Sequence, residues 1–270
     1  MIPGFGITLG TTLLWLSLIV LIPLAGLFLK TAELSFAQFI EVITNRRVLH
    51  ALELSFGLSL AAAAVNLVFG SFVVWALVRY RFPGRRIFDA IIDVPFALPT
   101  AVAGIALTTI YAESGWIGGL LAPLGIQVSF TPVGIFVALV FIGLPFVVRT
   151  VQPVLQDLEL ELEEAAASLG ASRWTRVRRI VLPSIVPALL TGFALAFARA
   201  VGEYGSVIFI AGNLPNVSEI APLLIVIRLQ EFRYADATAI AAVMLVASFL
   251  LLFLINALQR WSEARTGKRL

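Results

Sequence analysis

Arg199 and Glu203 stand four residues apart inside a run, Ser184 to about Ala211, that is otherwise free of charge. A charge near the centre of a membrane-spanning helix costs about 2.5–3.5 kcal/mol on insertion scales, so two unpaired ones would threaten insertion. The spacing puts both on one helical face, where they can neutralise each other, although Arg before Glu is the weaker order. Two chemistries are open to such a pair. It can lock one helix to a neighbour, or it can offer an anion a positive stopping point whose grip the carboxylate weakens, since a conducting path needs weak sites. Arg149 closes another apolar run, where it either snorkels to the headgroups or lies near the inner mouth of an anion path. Pro95 and Pro99 break the backbone ladder at membrane depth, which makes either a gate or a simple kink.

Other chemistries lack their residues. There are no cysteines, so disulfides and thiolate metal sites are excluded, and the single histidine, His50, cannot build a metal site alone. His50 is expected in an exposed loop. No G-x-x-x-x-G-K-[ST] occurs, so ATP, if it is used, must be bound by a partner. No clustered catalytic set is present, which argues against a membrane enzyme. No cofactor is expected. A self-sufficient ion-coupled anion carrier remains the alternative from another class, but it would need an intramembrane relay longer than Arg199 and Glu203.

The elements that position these residues follow from composition. The chain has 270 residues, 60% hydrophobic and 13% charged, with a mean hydropathy of +1.01. A soluble domain cannot hide that much apolar surface, so its main solvent is the lipid bilayer. About 20 residues at 1.5 Å each cross a ~30 Å core, and six stretches qualify. They are Phe5–Leu29, Leu54–Val78, Asp93 to about Ala112, Phe130–Val148, Ser184 to about Ala211, and Ala237–Gln259. The expected fold is therefore all-α and polytopic, one transmembrane domain over residues 1–270. Between the spans lie a polar loop with a short helix near Phe36–Ile43, a basic turn Arg79–Arg86, and a Gly-rich loop or re-entrant segment from Ser114. Ala221–Ile227 is too short to span and is expected on the outer surface, and the tail Arg260–Leu270 is basic and expected to fray. Three segments, the basic turn, residues 157–183 and the tail, hold twelve Lys and Arg; the three opposite loops hold five. That bias puts both termini in the cytoplasm and explains the net charge of +3 without nucleic acid.

One stretch, Asp157–Pro183, is too polar for the membrane. Leu155, Leu158, Leu162, Ala166 and Leu169 mark the apolar face of a helix that Gly170 stops, as a residue free to take positive φ. Ser172 can cap a second helix with Trp174, Val177 and Val181 on its apolar side, and Pro183 marks an end to it. The result is a helix–turn–helix over 155–183 exposed to the cytoplasm.

Glu164-Ala165-Ala166, Gly170, Ile180 and Leu182-Pro183 stand at the spacings of the EAA loop and resemble that loop in permease subunits of bacterial ABC importers. Asp93–Gly104, Pro145–Pro153, Gly202-Glu203-Tyr204-Gly205, Arg228–Phe232 and Arg81–Arg85 narrow the likeness. Together they look like the T-type permease subunits of the bacterial sulfate/thiosulfate importer, with molybdate (or tungstate) permeases and the W-type sister subunit as neighbours. The resemblance implies the type I importer permease fold, in the bacterial inner membrane. It also implies a W-type sister permease, two copies of an ATP-binding subunit that docks on Glu164–Pro183, and a periplasmic sulfate-binding protein.

Overall fold

A computed structural model describes residues 4–266, without the side chains of residue 258 and of 261–266. Among the described residues the regular structure is helical and there is no strand. Among the described residues five helices are long and apolar enough to cross a membrane: α1 (Phe5–Thr31), α3 (Arg46–Arg79), α7 (Pro132–Gln156), α9 (Arg173–Val201) and α11 (from Tyr234). Shorter ones are α2 (Phe36–Thr44), α4 (Arg85–Ile92), α5 (Val94–Ala97), α6 (Thr100–Tyr111), α8 (Leu160–Ser168) and α10 (Ala221–Gln230). α7 packs between α3 and α9, α11 lies against α9 and α10, and the second half of α1 leans on α11.

Small residues set the distances. Ala51, Ser55, Ser59, Ala62, Asn66 and Gly70 recur on the buried stripe of α3. A Cβ on Gly70 would come within 2.9 Å of Val147 Cγ1, so glycine lets α3 and α7 approach. Bulky apolar side chains point the other way, such as Phe69 and Phe72 on α3 and Phe249 and Phe253 on α11, and are exposed. That is the inverse of a soluble bundle. Without water outside there is no cost to apolar side chains there, and the interior takes what packs closely.

Several boundaries differ from the sequence reading. α3 begins at Arg46, not Leu54, because Asn45 caps it by accepting from the Arg47 N–H at 3.0 Å. His50 is consequently a half-buried helical residue and not part of an exposed loop. The expected third span is not one helix. α4, α5 and α6 follow one another with breaks at Asp93 and Leu98-Pro99, and α6 alone, with 12 residues, covers only about 18 Å. Both prolines sit at helix starts: Pro95 in the first turn of α5 and Pro99 as the N-cap of α6, with Leu98 extended before it.

Pro183 does not end its helix. The backbone widens to π geometry over Val177–Val181, with the Leu182 N–H donating to Val177 O five residues back. The missing proline donor is absorbed there, and Ser184 Oγ returns a bond to Ile180 O at 2.8 Å. The same device, Ser17–Leu21, precedes Pro23 in α1. The second helix of the polar stretch and the fifth span are thus one rod, α9. Its far end also moves: the helix stops at Val201, and residues 202–206 are irregular before a single turn at Val207–Ile210. α10 is not on the surface; Ala221 and Leu224 are fully buried and the Ala221 N–H donates to Ser55 Oγ at 2.9 Å. α11 continues to Thr266, through most of the tail expected to fray, and the last four residues lie outside the described ones.

Candidate functional site

The polar stretch folds as a short helix, a glycine turn and the start of α9. Asp157 closes α7, and α8 carries acids in its first turn, where the helix dipole favours them. Gly170 has φ +84°, and the Gly170 and Ala171 N–H groups donate back to Ala167 O and Ala166 O at 2.9 and 3.0 Å. That closes α8 as a left-handed glycine cap. Ser172 Oγ then accepts from the Thr175 N–H at 3.2 Å and opens α9. The expected apolar face is split: Leu155 and Val181 are buried and Leu158, Ala166 and Val177 half-buried, whereas the residues around the turn are not covered in this chain. Leu169 is 88% exposed and Trp174 71%, with Leu160 and Leu162 also exposed. Glu164 and Ala165 are exposed, Ala166 half-buried, and Ile180 lies in the π turn with Leu182 and Pro183 directly after it, Leu182 exposed. A ledge of leucine and tryptophan beside free acids can do little chemistry; it can bind another protein surface.

Arg149 is committed elsewhere. Its guanidinium reaches across from α7 to the broken span and uses five N–H bonds. Nε and Nη2 grip the Asp93 carboxylate at 2.7 and 2.6 Å, and Nη1 donates to Asp89 Oδ1 at 2.7 Å and Gln152 Oε1 at 2.6 Å. Nη2 also donates to the Asp89 carbonyl at 2.7 Å. Neither snorkelling nor a bare anion site describes it: the arginine clamps α4 and α5 onto α7. The sequence held a signal, since Asp89 and Asp93 are four apart at the edge of the proline-broken segment and complement a lone arginine.

Arg199 and Glu203 do pair. The Glu203 side chain is 2% exposed and also accepts from Ser206 N–H and Ser206 Oγ, each at 2.9 Å. Arg199 keeps 34% exposure on a face of α9 shared with exposed Leu195 and Ala198. The two backbone breaks meet at this level. A Cβ on Gly205 would fall 2.2 Å from Thr100 Oγ1, the first residue of α6, and one on Gly104 would fall 2.4 Å from Ser206 O. Gly202, by contrast, has open space around it and makes no close approach. Irregular backbone at membrane depth is tolerated where it is buried in protein or lines a cavity, and here Pro99 and Gly202 are both on the exposed side.

Three ionic or polar features gave no sequence signal. Arg47 holds Glu219, Arg79 holds Glu163, and Asn66 is fully buried at the α3–α7 contact, with its amide 2.4 Å from where a Cβ on Gly143 would stand.

The family model described as "Binding-protein-dependent transport system inner membrane component" matches residues 66–268. The sulfate transport system permease protein CysT of Synechococcus elongatus is 53% identical over 256 residues, covering 95% of this chain and 92% of that protein. The CysT protein of Escherichia coli is 51% identical over 268 residues, covering 99% and 95%. Among solved structures, a bacterial ABC transporter involved in import of the acidic polysaccharide alginate aligns with a TM-score of 0.78 at 18% identity, covering 94% of this chain and 93% of that one. The inward-facing methionine transporter MetNI aligns at 0.57 and 19% identity, over 80% and 95%. At these identities the structural likeness is one of fold.

Proposed function

The chain belongs to the family of binding-protein-dependent transport system inner membrane components, and from that premise we propose how it works. It is the permease subunit of a sulfate ABC importer, a multi-pass membrane protein with the type I importer fold. The observation that carries this reading is near-full-length identity of about half to sulfate permeases, in a chain whose polar helix–turn–helix leaves Leu160, Leu162, Leu169 and Trp174 uncovered. ATP is hydrolysed by a partner present in two copies, one of which docks on Glu164, Ala165, Ala166, Gly170, Ile180, Leu182 and Pro183 of this chain. A sister permease supplies the other half of the path, and a periplasmic binding protein delivers the anion. Both termini and the docking loop face the cytoplasm, in keeping with the distribution of arginines.

In this reading the loop is a handle joined to two long helices. α7 leads into it and α9 leaves it, so a docked subunit that rotates the loop swings both rods. Arg149 carries α4 and α5 with α7, and the breaks at Pro95, Pro99 and Gly202–Ser206 let the far segments pivot. The open face of α9 lines the path. There Arg199 offers a doubly charged anion a positive station, while Glu203, held in place by Ser206, keeps that station from becoming a trap.

Uptake of radiolabelled sulfate by the complex reconstituted with its ATP-binding and sister subunits tests the proposal. Uptake should require ATP and the binding protein, and unlabelled sulfate and thiosulfate should compete better than molybdate or phosphate. Molybdate as the strongest competitor would reassign the substrate. Transport by the chain without an ATPase partner would overturn the importer reading.

A further inference from the structure

α8 is an unusually poorly held helix for one that is to transmit force. It has nine residues, about 13 Å, and none of them is buried. Leu160 and Leu162 point outward, and the chain leaves it through a glycine turn at one end and the irregular residues 157–159 at the other. Two covalent hinges join the helix to α7 and α9 only, and such slight packing would let it move under a docked subunit without carrying α3 along.

Glu163 supplies what packing does not. Its carboxylate pairs with the guanidinium of Arg79, the last residue of α3, 84 positions earlier in the chain. The two side chains are 16% and 15% exposed, so the pair is sheltered, unlike an ordinary surface ion pair. Arg79 is braced as well: its guanidinium lies 5.6 Å from the ring centre of Trp75, one turn back. A cation at that position also meets the negative end of the α3 dipole. The neighbouring arginines Arg81 and Arg86 are exposed, as arginines that only set topology would be.

The adjacent acids of α8 divide the work. On a helix consecutive side chains point about 100° apart, so one of two neighbouring glutamates can face inward and the other outward. Glu163 faces the membrane helices and Glu164 is exposed. What Glu163 reaches is the central rod of the molecule. α3 has 34 residues, about 50 Å of helix, packs along both α7 and α9, and at its other end holds Glu219 through Arg47.

We propose that Arg79 and Glu163 form the transmission contact through which movement of the docking helix reaches α3 directly, and from it the outer side of the protein. Resting on the importer reading, this assigns Glu163 an inward positioning role distinct from the outward role of Glu164. The α7 and α9 rods would swing with the loop in any case; the Arg79–Glu163 contact makes the third rod follow in step.

The test uses the complete complex in proteoliposomes with binding protein, reading sulfate taken up per ATP hydrolysed. Arg79→Gln and Glu163→Gln should each copurify with the ATPase subunits at the parental ratio, yet lower uptake per ATP about tenfold, a typical size for a coupling between sites. The double exchange Arg79→Glu with Glu163→Arg should recover most of that loss, because it restores the pair. Parental uptake per ATP in the single variants overturns the proposal, as does an exchange no better than the singles. Loss of the ATPase subunits from the single variants overturns it too, since the pair would then build the docking surface and not transmit from it. A parental complex that holds no ATPase subunit removes the importer reading and this one together.

Discussion

Arg47 grips Glu219 with two prongs, Nε to Oε2 and Nη2 to Oε1, both at 2.6 Å, across 172 residues of chain. The pair joins the start of α3 to the segment entering α10, and the carboxylate is 2% exposed while the arginine keeps 29%. The two ends are therefore not equivalent. Arg47→Met leaves a buried charge without a partner and should cost on the order of 2–3 kcal/mol, below the full cost of breaking a buried pair because Arg47 still meets water. Glu219→Gln keeps a hydrogen-bonding side chain in place and should cost less. Thermal unfolding of the purified complex checks the order; Glu219→Gln as the more damaging variant would refute it.

Gly170 is expected to be sensitive to conformation and not to size. A Cβ there meets nothing within 4 Å, but φ +84° disfavours any L side chain by about 1–2 kcal/mol. Gly170→Asn, which tolerates the left-handed region, should retain coupling better than Gly170→Ala or Gly170→Asp. Glu164→Lys, an exposed change, should leave the protein in the membrane and weaken ATPase copurification. The measurements are membrane yield, copurification and uptake; equal behaviour of the Asn and Ala variants would remove the backbone argument.

Arg149 should not be replaceable by lysine. One ammonium cannot reproduce a fork that serves two carboxylates, a carbonyl and an amide. Arg149→Lys should lower the unfolding temperature of the complex, and Asp89→Asn with Asp93→Asn should suppress much of that difference, because the partners have then lost their charge. A lysine variant as stable as the parent would show that the clamp is dispensable.

The role of Arg199 is best separated from that of Glu203 by neutralisation. An exchange of the two charges would place an arginine where Ser206 N–H and Oγ now donate, leaving those donors unpaired. Arg199→Gln keeps Glu203 held by Ser206, so assembly should persist. If Arg199 lines the path, sulfate uptake should fall about tenfold, the equivalent of 1.4 kcal/mol in an equilibrium or a barrier. Parental uptake in an assembled Arg199→Gln complex would leave the pair a purely structural lock.

Topology is open to labelling because the chain has no cysteine. Ser129 and Ser218, loop serines in the sequence, are buried and would report nothing. Exposed Ser114 and Val217 should, as single cysteines, react with an impermeant reagent added outside, and Arg86 and Ser172 only after the membrane is breached. Reversed labelling at two of these positions would invert the orientation.

Features that depend on local composition could be read directly from the chain. Five of the six expected runs of membrane length, the short helix near Phe36, the glycine stop at Gly170 and the Ser172 cap were legible, because each is set by the local sequence. So was the family, since Glu164–Pro183 and Asp93–Gly104 are continuous motifs. The pairing of Arg199 with Glu203 was legible for the same reason, its partners being four residues apart.

Where the chain meets itself could not be read that way. No local pattern joins Arg47 to Glu219 or Arg79 to Glu163, because their proximity is made by how α3 lies beside α8 and α10. The reading of Pro183 failed in a related way. Pro183 ends a helix only if the backbone has no other register, and the π turn at Val177–Val181 supplied one. Pro95 and Pro99 did divide a span, because the freed backbone there could rest against Gly205 and the clamp of Arg149. A proline states that one hydrogen bond is missing; the neighbouring helices decide whether the chain bends, breaks or runs on.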